Sequence, residues 1–584
     1  MQSTAPTALQ RASFIALALL ALTLPFEIVL FSVGPLAITS VELLLGLVLL
    51  LAAALVIVQR RWRRPGWLRL PRAWLWLLAI AAAAFVLSAL LAPTLRVNAL
   101  KASGRLLAGI ALALAVPQLV YNRRRLVWVA LPLLLGTTVA LSAGFVEVAN
   151  GRILPWLDHF RVTATTAGPF LRLTGSFGHA NQAAMFLEAT LPLLLALSLL
   201  LWSGSGRRRR PWAALAVGLI ILLFLQGAIY TYSRTSVVTV LASSGVTALL
   251  LWWRSRRHER AHSPWPWAGL ALAMLLVIGL NTLFNPVMQM RLSSEGDNEW
   301  YNLSFQAPDE LTLEAGRTMT TTVTVRNEGL LTWADRGPNA VSVGGRWYLP
   351  GNSNSLAFVP RWTLPETVRP GESVTVETPL RAPPQPGAYR LQWDLIQEDV
   401  TWFSYKNGVR TMTSITVVPA EARATPTPEE ALMDAELAQV VDAPPQLAPI
   451  PDRRTLWREA ARHFAQRPLL GIGLDNFRLR YGEALQEGMG QWNPDIHANN
   501  WYIETLVSGG LLGALPFFAW VILLGISMVR ELGFRNASLW QVAIATGLIA
   551  YFIHGLLDYF LMFNDTGILF WLLTGLWISQ YDGR

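Results

Sequence analysis

Five side chains stand out for the chemistry they could do together: Arg172, Arg234, Lys101, Arg105 and His497. Four are cations in or beside strongly apolar stretches, where charge is costly and usually functional. Arg172 lies in RLTGSFGHANQ and Arg234 in TYSRTS, while Lys101 and Arg105 are four residues apart and so share a helix face. Guanidinium groups give forked, charge-assisted hydrogen bonds to phosphate oxygens, so such a cluster suits a diphosphate. His497, in HANNWYIETL, brings an imidazole, which beside a diphosphate can act as general base toward a hydroxyl. His554 and Asp558 form another pair four apart, expected either to lock helices together or to share in the chemistry. Plainer roles stand beside these. Lys101 and Arg105 can snorkel to an interface, Arg234 can anchor or pair inside a bundle, and His497 can be an ordinary loop histidine. His159 and His179 are expected to be surface or loop-packing residues. No metal-ligand spacing occurs, so neither a metal nor a cofactor is expected.

The elements that must hold these groups are apolar and long. Of 584 residues, 53% are hydrophobic and 14% charged, where a soluble protein would carry about 25% charged. Spans are expected near 12–33, 36–58, 74–92, 99–120, 126–146, 181–203, 212–230, 234–253, 265–284, 507–529, 538–560 and 565–580. Each is long enough to cross about 30 Å of hydrocarbon, and in lipid each must be helical to satisfy its backbone. The fold class is therefore an all-α polytopic membrane protein of about twelve helices, with an all-β insertion described below. Arg clusters follow the second, fourth, sixth, eighth and tenth stretches: Arg60 to Arg64, Arg123 to Arg125, Arg207 to Arg210, Arg254 to Arg260, and Arg530 with Arg535. The positive-inside rule then places both termini in the cytoplasm and the large loop outside it. The net charge of +10 is accounted for by this topology, so nucleic acid is not an expected partner. There is no Cys, hence no disulfide framework and no thiol nucleophile. The first apolar stretch contains Glu27 and shows no small-residue cleavage site, so it is not read as a signal peptide.

Five domains are expected. Residues 1–297 form an N-terminal membrane domain of about nine spans. Residues 298–418 are β-rich, with alternation in Thr320–Val325, Val341–Tyr348, Ser373–Thr378, Tyr389–Leu395 and Thr411–Val418, punctuated by Gly/Pro turns as in a β-sandwich. Residues 419–452 are a Pro/Ala/Glu-rich linker. Residues 453–506 carry an amphipathic helix over Arg453–Arg467, with Leu456, Trp457, Ala460, Ala461 and Phe464 on one side and Pro468 as its stop, and then the loop bearing His497. Residues 507–584 contribute about three more spans.

Five segments in order resemble the O-antigen ligase and polymerase superfamily: RLTGSFGHANQAAMFLEATLPLLLAL, YSRTSVVTVLASSGV, RRTLWREAARHFAQRPLLGIGLDNF, HANNWYIETLVSGGLLG and IHGLLDYF. The resemblance covers about 1–297 and 451–584. It implies an enzyme that takes a glycan from a polyprenyl diphosphate, such as undecaprenyl diphosphate. The glycan goes to a lipid, another glycan or a protein, at the outer face of the cytoplasmic membrane and without a required metal, in polysaccharide biosynthesis of the cell envelope. By motif, Arg172 and Arg234 would hold the donor diphosphate and His497 would activate the acceptor hydroxyl. Asn500 and Asn181, with His554 and Asp558, would support them; Lys101 and Arg105 join the donor site by position alone. Two departures stand out. Ser508 occupies a place where many members carry an acid, and the segment between Ser294 and Arg453 is far longer than in the family pattern. That segment, through VRNEGLLTWADRG and LPETVRPGESVTVETPLRAPPQPGAYRLQWDL, resembles the immunoglobulin-like four-tryptophan domain of selective-autophagy receptors and its bacterial relatives. Trp333, Trp347 and Trp393 would form its core, or else an exposed platform for sugar stacking.

Within this class a polymerase joining repeat units is the alternative to a ligase. A transporter of a small anion such as bicarbonate is the alternative from another class. The sequence has no internal repeat pairing two halves, as a transporter would be expected to show. A sensor or adhesin built around the β domain would leave Arg234 and His497 without a task.

Overall fold

Pro25 cuts the first apolar stretch short. In the computed structural model α1 (Ala8–Thr23) ends before it, and the rest of the stretch becomes an antiparallel hairpin of β1 (Val29–Val33) and β2 (Leu36–Thr39). The expected spans 12–33 and 36–58 are corrected accordingly. Proline has no N–H to extend the helix, and Val29 and Val33 suit a strand. Only then does α2 (Ser40–Gln59) begin, with a reciprocal cap. Thr39 Oγ1 accepts the Glu42 N–H at 3.2 Å, and Glu42 Oε2 accepts the Thr39 N–H at 3.1 Å. The structure describes residues 8–33, 36–59, 70–162, 164–202, 211–257, 265–351, 355–358, 361–398, 400–409, 411–420, 451–484, 492–493, 496–534, 537–561 and 563–581. The Arg clusters at 60–64 and 207–210, Arg260, Arg535 and most of the expected linker (421–450) lie outside these.

The helices that follow are α3 (Arg72–Leu90), α4 (Arg96–Leu119), α5 (Arg123–Asn150), α6 (Ala180–Trp202), α7 (Pro211–Tyr230), α8 (Arg234–Arg257), α9 (Trp265–Phe284) and α10 (Pro286–Ser293). A short hairpin, β3 (Thr166–Ala167) with β4 (Phe170–Leu171), precedes α6. Six helices among the described residues are long and apolar enough to cross a membrane: Ser40–Val58, Arg72–Leu90, Arg96–Leu119, Arg123–Asn150, Ala180–Leu201 and Trp501–Gly533. A seventh arises if Leu272–Phe284 and Pro286–Ser293, bent by 85°, count as one span. These mark a multi-pass membrane protein. A helix stands at each of the twelve apolar stretches, but several are short. The 16 residues of α1 rise only about 24 Å, less than the ~30 Å hydrocarbon core.

The chain divides into two compact units: Met1–Gln289 with Arg453–Tyr481 and Asp495–Arg584, and Met290–Asp452 with Gly482–Pro494. The second is the β unit. Its strands are β5 (Leu303–Gln306), β6 (Glu310–Glu314), β7 (Thr318–Asn327), β8 (Val341–Tyr348), β9 (Ser355–Phe358), β10 (Trp362–Thr363), β11 (Ser373–Arg381), β12 (Gly387–Gln397), β13 (Thr401–Trp402) and β14 (Thr411–Val418), with one helical turn, α11 (Ser404–Asn407), between the last two. One sheet runs β10-β8-β12-β14-β6, with β9 on β8 and β13 on β12; the other runs β11-β7-β5. Alternate residues are buried on β7 (Val323 and Val325), β11 (Val374 and Val376) and β14 (Ile415 and Val417), as in a two-layer sandwich, while the central strands β8 and β12 are buried along most of their length. Trp300, Trp333, Trp347 and Trp393 are at most 1% exposed. These tryptophans are core, and the platform reading of Trp333, Trp347 and Trp393 is corrected. Asp394 is buried on β12, accepting from the backbone N–H groups of Leu395 (2.9 Å) and Ser404 (3.1 Å). Burial pushes its carboxyl up to about 6, against the opposing pull of the Ser404 hydrogen bonds and Arg346.

Candidate functional site

The site is built around a broken helix. Beyond the amphipathic α12 (Arg453–Gln466), Pro468–Gly473 forms a tight loop, and α13 (Trp501–Phe534) is interrupted at Gly510 with φ 59° and ψ −168°. The loop fills the break. Ile472 and Gly473 donate to the carbonyls of Val507 (3.0 Å) and Ser508 (2.9 Å), and Leu511 and Leu512 donate to Pro468 (2.8 Å) and Leu469 (3.0 Å). Backbone groups freed by a broken apolar helix must find such partners. Glycine is required on both sides. Gly471 has φ 68°, and a Cβ there would meet the Ser508 carbonyl oxygen at 2.5 Å; one on Gly510 would meet Leu469 backbone at 2.4 Å.

His497 is held just before α13 and is buried. Asn500 caps that helix: its Oδ1 accepts the Ile503 N–H at 2.9 Å, and its Nδ2 donates to the Leu556 carbonyl at 2.8 Å. Trp501 N–H donates to the Gly555 carbonyl at 2.7 Å. The His497 ring lies against Tyr559 (5.5 Å between centroids) and Phe563 (6.0 Å). All these partners except Ile503 belong to the 555–563 segment between α14 (Leu539–His554) and α15 (Asn564–Gln580).

The same segment reaches the arginines. Asp558 accepts from Asn181 Nδ2 at 2.7 Å, and Asn181 Oδ1 accepts from Arg172 Nη2 at 2.7 Å. Arg172 Nε donates to the Thr231 carbonyl at 2.7 Å. Thr231–Ser233 is the turn leading into α8, which Arg234 opens, half-buried. Ser233 Oγ caps that helix by accepting the Ser236 N–H at 3.3 Å. Arg172 and Arg234 thus flank one turn, while the consecutive residues Asp558 and Tyr559 face Arg172, through Asn181, and His497. The segment carrying Arg172 is clamped from behind. Buried Arg161 pairs with Glu147 on α5 and donates to the Gly175 carbonyl at 2.8 Å.

Three expectations turn out differently. His554 and Asp558 are not paired along one helix, because α14 ends at His554. His554 Nδ1 instead lies 2.8 and 3.0 Å from the two carboxylate oxygens of Glu188 on α6, both residues fully buried. Arg105 is not left for a ligand alone; its Nε donates to Glu42 Oε1 at 2.9 Å. Lys101, half-buried on the same helix, stands one turn from Asn98, whose Nδ2 donates to the Asp475 carbonyl and to Asn476 Oδ1, each at 3.1 Å. The amphipathic helix is present, but its buried residues are Leu456, Glu459, Ala460 and His463, and Ala461 is exposed. Glu42, Arg161, Glu188, Glu504 and Tyr559 went unread in the sequence. The signal available for Glu188 was a carboxylate inside an apolar stretch.

Residues 434–518 match the family model described as O-Antigen ligase. The O-antigen ligase match takes in α12, the loop in the helix break and His497. Residues 306–417 match the model described as Ig-like domain from next to BRCA1 gene, which covers the sandwich nearly strand for strand. No curated protein matches the chain.

Proposed function

We propose that this protein transfers a glycan from a polyprenyl diphosphate-linked donor to an acceptor hydroxyl at the outer face of the cytoplasmic membrane, as an O-antigen ligase-like glycosyltransferase with both termini cytoplasmic. The observation that carries the reading is the 555–563 segment, whose neighbours Asp558 and Tyr559 tie Arg172, through Asn181, to His497. The match of 434–518 supports it. Arg172 and Arg234 hold the diphosphate, with Lys101 contributing charge; Arg105, shared with Glu42, contributes less. The acceptor oxygen bonds to the sugar C1 as the C1–O bond to the diphosphate breaks. His497 takes the acceptor proton, and the departing diphosphate carries the electron pair into the arginine cluster. One in-line displacement inverts the anomeric centre.

A preorganised cation at a developing anion is worth about 10²–10³ in rate. His497→Ala and Arg234→Ala are each expected to lower transfer by at least that much while the protein still inserts. Near-normal glycan products from both variants overturn the assignment. A polymerase differs in its acceptor alone, and long polymer still attached to polyprenyl diphosphate would identify one.

A further inference from the structure

The residue after His497 is fixed from two sides. Ala498 is fully buried; its carbonyl accepts from Trp457 Nε1 of α12 at 2.9 Å, and its N–H donates to Glu504 Oε2 of α13 at 2.9 Å. Glu504 therefore spends one oxygen on the backbone of the His497 loop. Its other oxygen, Oε1, is buried and has no hydrogen-bond partner, and His497 Nδ1 is likewise buried without one. The two atoms are 3.6 Å apart, and the side chains are 0% and 5% exposed. That is longer than a hydrogen bond, which spans about 2.7–3.2 Å. Yet each atom can relieve the other, and a buried polar atom left unsatisfied is expensive. Catalytic hydrogen bonds are often long in an empty site and tighten when substrate is bound.

We infer that Glu504 is the positioning residue for His497. Resting on the reading of His497 as general base, the inference assigns Glu504 Oε1 to the Nδ1–H of the imidazole. That choice of tautomer leaves the Nε2 lone pair for the acceptor proton. Tyr559 and Phe563 pack their rings on the imidazole. Glu504 thus works through both of its oxygens, one setting the backbone and one setting the ring.

The chemistry supplies a clean variant. In Glu504→Gln the amide oxygen keeps the Ala498 N–H, and the amide NH₂ takes the place of Oε1. An NH₂ facing Nδ1 donates to it and selects the Nε2–H tautomer, which has no lone pair for the acceptor proton. The expected result is a kcat lowered about 10²-fold or more at unchanged donor KM. Nitrogen-15 NMR of histidine-labelled protein in nanodiscs, with the His497 signal identified by its loss in His497→Ala, should show the Nδ1–H tautomer in the wild type and Nε2–H in Glu504→Gln. Unchanged kcat, an unchanged tautomer, or a loss carried by KM would each overturn the inference. His497→Ala separates the two ideas. If that variant is inactive while Glu504→Gln is normal, only the positioning role falls; if it transfers normally, the base assignment itself falls.

Discussion

Arg172→Lys is the substitution that most directly weighs the proposed diphosphate site. Arg172 is 6% exposed, and its guanidinium uses Nε and Nη2 at the same time, on the Thr231 carbonyl and on Asn181 Oδ1, both at 2.7 Å. An ammonium is a point donor on a flexible stem and cannot reproduce that fork. It can reach one of the two acceptors, so one charge-assisted hydrogen bond is lost and one buried acceptor is left open. That fork orients the guanidinium for the proposed diphosphate contact, so Arg172→Lys should lose part of the roughly 10²–10³ in rate that a preorganised cation supplies, and kcat/KM for a polyprenyl diphosphate-linked donor should fall about 10-fold or more. The charge itself is retained, so the loss should be smaller than for Arg172→Ala. Asn181→Ala should fall in the same range, since it removes one arm of the fork and the bridge to Asp558. The assay is single-turnover transfer by purified protein in lipid, with the labelled donor varied. If Arg172→Lys lies within threefold of wild type, the forked geometry has no part in transfer and the donor site must be drawn elsewhere.

Glu188→Ala should destabilise the membrane unit by about 3–5 kcal/mol, because it strands His554 as a buried polar group without its partner; the apparent melting temperature in detergent reports it. The double variant Glu188→Leu with His554→Phe should recover much of that loss, and single and double variants melting together would refute the pairing. In the β unit, Asp394 has its folded pKa raised to about 6 from 3.8. Its contribution to stability is therefore complete below about pH 4 and is lost as pH rises through 6, a difference of at most about 3 kcal/mol. Asp394→Asn, which keeps an acceptor for Leu395 and Ser404, should flatten that dependence. Hydrogen exchange of β8 and β12 peptides at pH 5 and 8, corrected for intrinsic rates, tests it.

What could be read from the sequence follows from how local each signal is. An Arg at the edge of an apolar stretch stands out wherever the chain later goes, so Arg172 and Arg234 were visible. The period of two in Ser373–Thr378 or Tyr389–Leu395 is likewise a property of neighbours along the chain. The hairpin at β1 and β2 was not visible, because an apolar run such as Val29–Val33 reads equally well as the end of a helix. Pro25 was the clue that should have outweighed it. Glu504 was hidden for another reason. In HANNWYIETL it looks like a carboxylate favouring the start of a helix, as its place in the first turn of α13 also indicates. Only the folded chain shows that it reaches back to Ala498 and His497.

His554 and Asp558 make the case most sharply. Four residues apart, they promised one helix face, and Gly555 ended the helix between them. Their partners instead come from α6, where Asn181 and Glu188 are seven apart, two turns along one face. α6 thus meets the last residue of α14 with a fully buried pair and, two turns nearer its own start, meets Asp558 with the amide that also holds Arg172. A carboxylate and an imidazole, both sealed from solvent, hold α6 against the last residue of α14. Where α14 stops sets where Asp558 and Tyr559 stand, and those two residues face Arg172, by way of Asn181, and His497. Under the proposed function the buried pair matters without touching substrate. It holds the segment on which both halves of the proposed site depend.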